Sequence, residues 1–337
     1  MEFRPLNGNP PDILEIKRRK QHVENIIVQH PRYLETYKEI EEYHLLSTTS
    51  KEPKGLFIYG NTGVGKSSIL TGYADRYPKY EDQGITKVPI LYSIVPVGAT
   101  PKSVASSILS SLGDPNFDRG SENDLTERLL KFIAKDICDV QMIIIDEFQH
   151  IIDRETEKVL KKASDWLKSF SDKAGIPMII CGLPESMKIF ERNEQLDRRF
   201  SIKHPIKKFE YQTKEEQLEF RGFLNVIAEM LPFYSRSNLA DKHLSEKIYY
   251  ASRGVPYYIK LILIEATVCA LKSGRDSIDE IDLSIAFDRI NISSRKFAKN
   301  PFKIEKFNLW DEIQEEFRRT KKAENEAVKK GKRGKFK

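Results

Sequence analysis

"GLFIYGNTGVGKSSIL", residues 55–70, sets a short apolar run, a glycine-rich octet and a helix start in that order. Leu56–Tyr59 reads as a strand that Gly60 ends. The octet Gly60-Asn61-Thr62-Gly63-Val64-Gly65-Lys66-Ser67 fits G-x-x-x-x-G-K-[ST], and from Ser67 the stretch SSILTGYADRY reads as a helix. Glycines let the backbone take positive φ and turn its N–H groups inward around a phosphate. The helix that follows points its positive end at the same anion. In this arrangement Lys66 reaches the β- and γ-phosphates and the Ser67 hydroxyl ligates Mg²⁺. Gly60 through Ser68 form the cradle, so the stretch predicts an ATP and Mg²⁺ site.

Working outward, "QMIIIDEFQHII" carries four apolar residues, Met142–Ile145, followed by Asp146 and Glu147. A carboxylate at the carboxyl end of a central parallel strand lies beside the phosphate loop. Asp146 is expected to hold Mg²⁺ through its water shell. Glu147, one residue on, is expected to orient and deprotonate a water attacking the γ-phosphate.

Three further runs behave as strands: "KVPILYSIVPV", "IPMIICGLPES" and "RFSIKHPIKKFEY", the last interrupted by Pro205. Helical patterns separate them, which predicts a parallel sheet buried on both faces. From Thr213 to about Ile290 the pattern is helical throughout. The expected organisation is an arm with two helices over 1–50, an αβα core over 51–210, a helical lid over 211–290, and an extension with a basic tail over 291–337. The fold class is α/β: a P-loop AAA+ αβα sandwich around a five-stranded parallel sheet, followed by a small all-helical lid.

Composition narrows the function classes. The chain has 337 residues, 39% hydrophobic and 31% charged. No apolar run approaches a membrane span, since Lys260 and Glu265 interrupt the greasiest stretch, YYIKLILIEATVCALKSG. MEFRPLNGNPPD lacks the basic-then-apolar order of a secretory signal. Cys138, Cys181 and Cys269 lie far apart, as suits reduced thiols in a cytosol, and no zinc-ligand spacing occurs. The net charge of +6 is local: residues 318–337 hold ten Lys or Arg against two Glu, so the other 317 residues carry a net −2. DNA binding by the folded body must therefore rest on patches, while the tail reads either as a solubilising end or as an arm for phosphates or an acidic partner.

From about residue 30 to 280 the chain resembles the TnsC/TniB transposition regulators of AAA+ type. The resemblance is carried by the octet, "PILYSIVPVGATP", "IIIDEFQHII", "IPMIICGLPES", Arg199-Phe200, "MLPFYSRSNLAD" and "ASRGVPYYIKLILIEATVCALKSGRDSID". It implies an ATP-dependent oligomer, a ring or helical filament, that wraps double-stranded DNA in a bacterial, nucleoid-associated, cytoplasmic setting. It also implies two partners: a target selector of the TnsD/TniQ kind and a DDE transposase of the TnsB kind. In such oligomers a neighbour's arginine completes the ATP site; in "QLDRRFSIKHP" this role falls to Arg199, the arginine before Phe200. Two departures point to slow hydrolysis. Cys181 and Gly182 stand where AAA+ proteins often carry a polar sensor, and Tyr257 stands where many carry a lid arginine, with Arg253 nearby.

The resemblance places Lys102, in the first turn of the helix after "GAT", towards DNA; Arg119 is a further candidate, as are Lys158, Lys161 and Lys162. His150 reads equally as a water-positioning group or a packed side chain. Phe209, Tyr211, Tyr249, Tyr250, Tyr257 and Tyr258 read as core. Two other functions fit the nucleotide motifs: a nucleotide-gated signalling or scaffold switch that binds protein, and a replication initiator or helicase loader.

Overall fold

Alternation of side chains along short apolar strands decides how the sheet is buried. In the computed structural model, which describes residues 3–47, 53–151 and 157–334, helices α1 (Ile13–Glu24) and α2 (Pro31–Ser47) precede strand β1 (Leu56–Tyr59) and helix α3 (Lys66–Ala74). Strands β2 (Tyr80–Asp82), β3 (Ile85–Lys87) and β4 (Ile90–Ile94) lead to α4 (Pro101–Leu112) and α5 (Glu122–Phe132). Then come β5 (Met142–Asp146), α6 (Glu157–Ala174), β6 (Met178–Gly182), the short helices α7 (Lys188–Glu191) and α8 (Glu194–Arg199), and β7 (Ile202–Pro205).

Five strands form one sheet in the order β4-β5-β6-β1-β7. Every pairing is parallel, with Ile94 opposite Asp146, Ile145 opposite Ile180, and Tyr59 opposite Gly182. The carboxyl ends of β1, β5 and β6 therefore lie along one edge. Phe57, Ile143, Ile145 and Ile180 face Val104 and Ile108 of α4, Leu125 and Leu129 of α5, and Leu167 and Phe170 of α6. The alternate residues Leu56, Ile58, Ile144 and Ile179 pack against Ile40 and Tyr43 of α2 and Ile69, Leu70 and Tyr73 of α3. Both faces are covered, as a parallel sheet requires.

The antiparallel hairpin of β2 and β3 was not anticipated from the apolar pattern, because its residues are mostly exposed. Its cue is turn chemistry: Gln83 and Gly84 both take positive φ, 51° and 79°, as a two-residue hairpin loop demands. Prolines trim two expected strands. Pro89 and Pro96 bracket β4, and β7 ends at Pro205. Residues 154–156, expected to open the helix that becomes α6, lie outside the described residues, as do the expected boundary at 50/51 and the basic residues of 335–337.

The second compact unit joins residues up to Val28 with those from Lys208 onward, while Gln29–Lys207 form the sheet unit. The segment 1–50 is thus divided: α1 packs into the helical unit and α2 onto the sheet. Helices α9 (Lys214–Met230), α10 (Lys242–Ser252), α11 (Pro256–Lys272), α12 (Glu280–Arg289) and α13 (Leu309–Gly334) complete the helical unit. Phe209, Tyr211, Tyr249 and Tyr250 are core there; Tyr257 is not, being exposed. In "ASRGVPYY", Arg253 and Gly254 end α10 with positive φ, and a Cβ on Gly254 would fall 2.1 Å from the Phe209 carbonyl oxygen. Arg253 and Arg295 both clamp the buried Glu316 of α13, at 2.6 and 2.7 Å. Burial opposes ionisation of Glu316, yet Arg295 and Arg253 hold its carboxyl below the usual range. Among the described residues no single helix is long and apolar enough to cross a membrane.

Candidate nucleotide site

Gly60 follows β1 and donates its N–H to the Gly182 carbonyl at 3.2 Å, while Ile206 N–H reaches the Tyr59 carbonyl at 2.7 Å. A Cβ on Gly60 would lie 2.3 Å from the Ile206 carbonyl oxygen, so the turn there is sterically restricted to glycine. Val64 is buried and anchors the loop; Gly63 and Gly65 reverse the backbone with φ of 81° and 98°. Asn61, Thr62 and Ser68 are exposed, and Ser67 is half-buried. Helices α4, α5 and α9 carry side-chain caps from Thr100, Ser121 and Thr213, but α3 starts on Gly65 without one. Its first-turn N–H groups are thus presented as an anion receptor. The Lys66 ammonium donates to the Gly60 and Asn61 carbonyls at 2.8 and 3.1 Å, which holds its charge over the loop.

Asp146 ends β5 almost fully buried. The Tyr92 hydroxyl of β4 donates to its Oδ2 at 2.8 Å and the Glu147 N–H to its Oδ1 at 2.7 Å. Burial, reinforced by the Asp146 charge, pushes both the Tyr92 phenol and the Cys181 thiol well above their ordinary ranges. Both stay protonated, and the phenol serves Asp146 as a donor.

Sequence reasoning missed Tyr92, although a signal was present: a tyrosine inside a buried apolar run needs a partner for its hydroxyl. A hydrogen bond to a charged group contributes about 1.5–3 kcal/mol. Tyr92→Phe is therefore expected to lower unfolding free energy by about that amount in urea titrations. An unchanged midpoint would remove Tyr92 from the site.

Glu147 has φ of 56°, a left-handed conformation that costs a non-glycine residue energy and clusters at functional sites. Its carboxylate accepts from the Gln149 side-chain amide and lies 4.0 Å from His150 Nε2.

The remaining predicted residues are placed less simply. Arg199 is 17% exposed and held within its own chain: its guanidinium donates to Asp172 Oδ1 and to the Ser171 carbonyl, each at 2.6 Å. Arg198 reaches Glu194 but is 76% exposed. Lys102 is exposed at the start of α4, yet the N–H groups of Thr100 and Ser103 there are already used by a reciprocal cap. Lys102 thus offers a charge without a free helix end. Arg119 is exposed in the loop before α5. On α6, Lys158, Lys161 and Lys162 are exposed, but Lys162 is paired with Glu122 at 2.7 Å.

The octet at the end of β1, with Asp146 and Glu147 two strands away, agrees with the comparison by family: the description "Bacterial TniB protein" matches residues 18–211. The chain belongs to the TniB family. No curated protein matches this TniB chain in sequence. Among solved structures it is similar to the Aeropyrum pernix ORC1 protein in complex with DNA, with a TM-score of 0.61 and 16% identity over 80% of this chain and 68% of that one. It is also similar to the Aeropyrum pernix ORC2 protein in its ADP form, with a TM-score of 0.57 and 16% identity over 80% and 72% of the two chains. Cdc6p from Pyrobaculum aerophilum gives a TM-score of 0.56 at 15% identity, over 79% and 70%. These likenesses establish the fold of the TniB chain as P-loop AAA+, an αβα sandwich with a helical domain.

Proposed function

We propose that this TniB-family protein is an ATP-dependent DNA-binding regulator of transposition, which oligomerises on duplex DNA and hydrolyses ATP slowly. The observation that carries the nucleotide half is the glycine loop at the end of β1, with the Lys66 ammonium held over its Gly60 and Asn61 carbonyls, and the buried Asp146 at the same sheet edge two strands away. Hydroxyl and carboxylate oxygens are the donors that Mg²⁺ prefers, so Ser67 of the loop and Asp146 of β5 are the residues that would hold it. When bound, the ion supplies charge neutralisation at the β- and γ-phosphates. Lys66 exchanges its loop carbonyls for phosphate oxygens, and the α3 N–H groups bind the same anion. Glu147 accepts a proton from the attacking water. Cys181 and Gly182 supply no strongly polar sensor side chain, and Arg253 is engaged by Glu316, in keeping with slow turnover.

The transposition half rests on the family, which supports the links to a TnsD/TniQ-type selector and a TnsB-type transposase. The likeness to a protein solved in complex with DNA supports duplex binding. Lys102 and Arg119 are proposed contacts. Because such contacts go to phosphates, affinity for duplex DNA should depend little on sequence. With six or more contacts per unit, affinity should fall on the order of 10³-fold or more between roughly 50 and 200 mM salt. Fluorescence anisotropy with two unrelated duplexes measures this, and a flat salt response would favour the protein-binding switch.

Arg199 is proposed as the arginine that acts on a neighbour's nucleotide, on release from Asp172. Arginines of this kind contribute roughly 10³–10⁵-fold to turnover. Arg199→Ala should abolish hydrolysis while nucleotide binding persists, and Asp172→Asn, which frees the arginine, should keep it. Mixing Arg199→Ala with Lys66→Ala protein should restore some turnover, provided both enter one assembly. Loss of turnover in Arg198→Ala instead would transfer the role to the exposed neighbour.

A further inference from the structure

Resting on the ATPase reading above, the geometry points to Gln149 as the positioning residue for Glu147, taking the place of the polar side chain that the end of β6 lacks. Gln149 sits in the 3₁₀ turn Phe148–Ile151 directly after β5 and is buried. Its two amide atoms are both spent on the site. The NH₂ donates to the Glu147 carboxylate, and Oε1 accepts the Leu183 N–H at 3.1 Å, one residue past β6.

The end of β6 explains why an amide must arrive from elsewhere. A Cβ on Gly182 would lie 2.7 Å from Ser186 Oγ and 3.2 Å from Gln149 Oε1, so there is little room there for a side chain. The adjacent Cys181 is fully buried. The Gln149 amide fills the space instead.

The same residues tie base and phosphate loop to one reference point. The Gly182 carbonyl accepts the N–H of Gly60, the first residue of the loop, and the next N–H, of Leu183, is held by Gln149. Loop and base are thus both fastened to the carboxyl end of β6, which sets the distance between the phosphates and the Glu147 carboxylate. Without this tether Glu147, 39% exposed in its side chain, would sample several rotamers. A carboxylate displaced by about 1 Å can cost a reaction on the order of 10²-fold.

Gln149→Glu is the informative change. It keeps the shape and the acceptor for Leu183, loses only the donor to Glu147, and sets a second carboxylate against the first. Gln149→Ala removes both contacts. Steady-state hydrolysis by the full chain with duplex DNA, together with binding of a non-hydrolysable ATP analogue, reads the effect. In both variants kcat is expected to fall roughly 10–100-fold, with KM and analogue affinity within about two-fold of the parent. In a Glu147→Gln background, adding Gln149→Ala should cause no further loss, because a residue acting through Glu147 has nothing left to position. Unchanged or raised kcat in Gln149→Glu overturns the proposal, the latter by making Gln149 a restraint. A full further loss in the double variant overturns it equally. A parent protein that never hydrolyses ATP overturns the ATPase reading and the inference with it, whereas normal parent turnover with insensitive Gln149 variants overturns the inference alone.

Discussion

Lys66→Ala protein is expected to lose ATP binding and, with it, nucleotide-dependent assembly. Lys66 supplies the side-chain cation of the loop and is already aimed at its carbonyls, 2.8 and 3.1 Å away. Removing one partner of a desolvated, hydrogen-bonded charge pair costs about 2–5 kcal/mol, or roughly 30-fold to several-thousand-fold in Kd. The α3 N–H groups and the glycine turns remain, so the fold should persist with an altered site. Titration with a fluorescent ATP analogue, with far-UV circular dichroism as the fold control, measures both. Binding within a few-fold of the parent would mean that Gly60–Ser67 is only a turn.

The second large effect separates binding from chemistry. Glu147→Gln keeps the side-chain shape but removes the base, and base catalysis contributes roughly 10²–10⁴-fold. Hydrolysis should fall by that factor while ATP binding holds, so DNA-bound assemblies should outlive those of the parent. The left-handed backbone at Glu147 is unchanged by this substitution, which confines the effect to the carboxylate. Parent-like turnover would remove Glu147 from the reaction.

What the sequence reveals of this molecule divides along physical lines. That Gly60, Gly63 and Gly65 form a tight turn was legible from their fixed spacing, and the structure gives each a close approach or a positive φ. Apolar strands two-sided in burial were legible for β1, β5 and β6 because a parallel sheet covered on both faces reads as short continuous apolar runs, here bounded by turn residues and separated by helical patterns. The β2–β3 hairpin was lost because exposed strands carry no apolar period. Tyr92 and Gln149 were lost because their partners are set by register and turn geometry: Asp146 lies 54 residues from Tyr92, and Leu183 lies 34 from Gln149. Arg199 shows the converse. The resemblance gives it a role at a neighbour's nucleotide, and within its own chain Asp172 on α6, 27 residues upstream, binds its guanidinium. Long, flexible cations take whichever carboxylate the fold brings near, and linear spacing does not record that choice. The capped start of α4 was half legible, since Thr100 and Ser103 have the spacing of a reciprocal cap.

Electron microscopy of the purified protein with ATP and Mg²⁺, in the presence and absence of duplex DNA, tests the central claim most directly. With nucleotide and duplex, ordered rings or helical filaments should surround the DNA, and leaving out ATP or introducing Lys66→Ala should abolish them. Dispersed single molecules under every condition, from protein that binds ATP normally, would contradict an ATP-gated assembly on DNA.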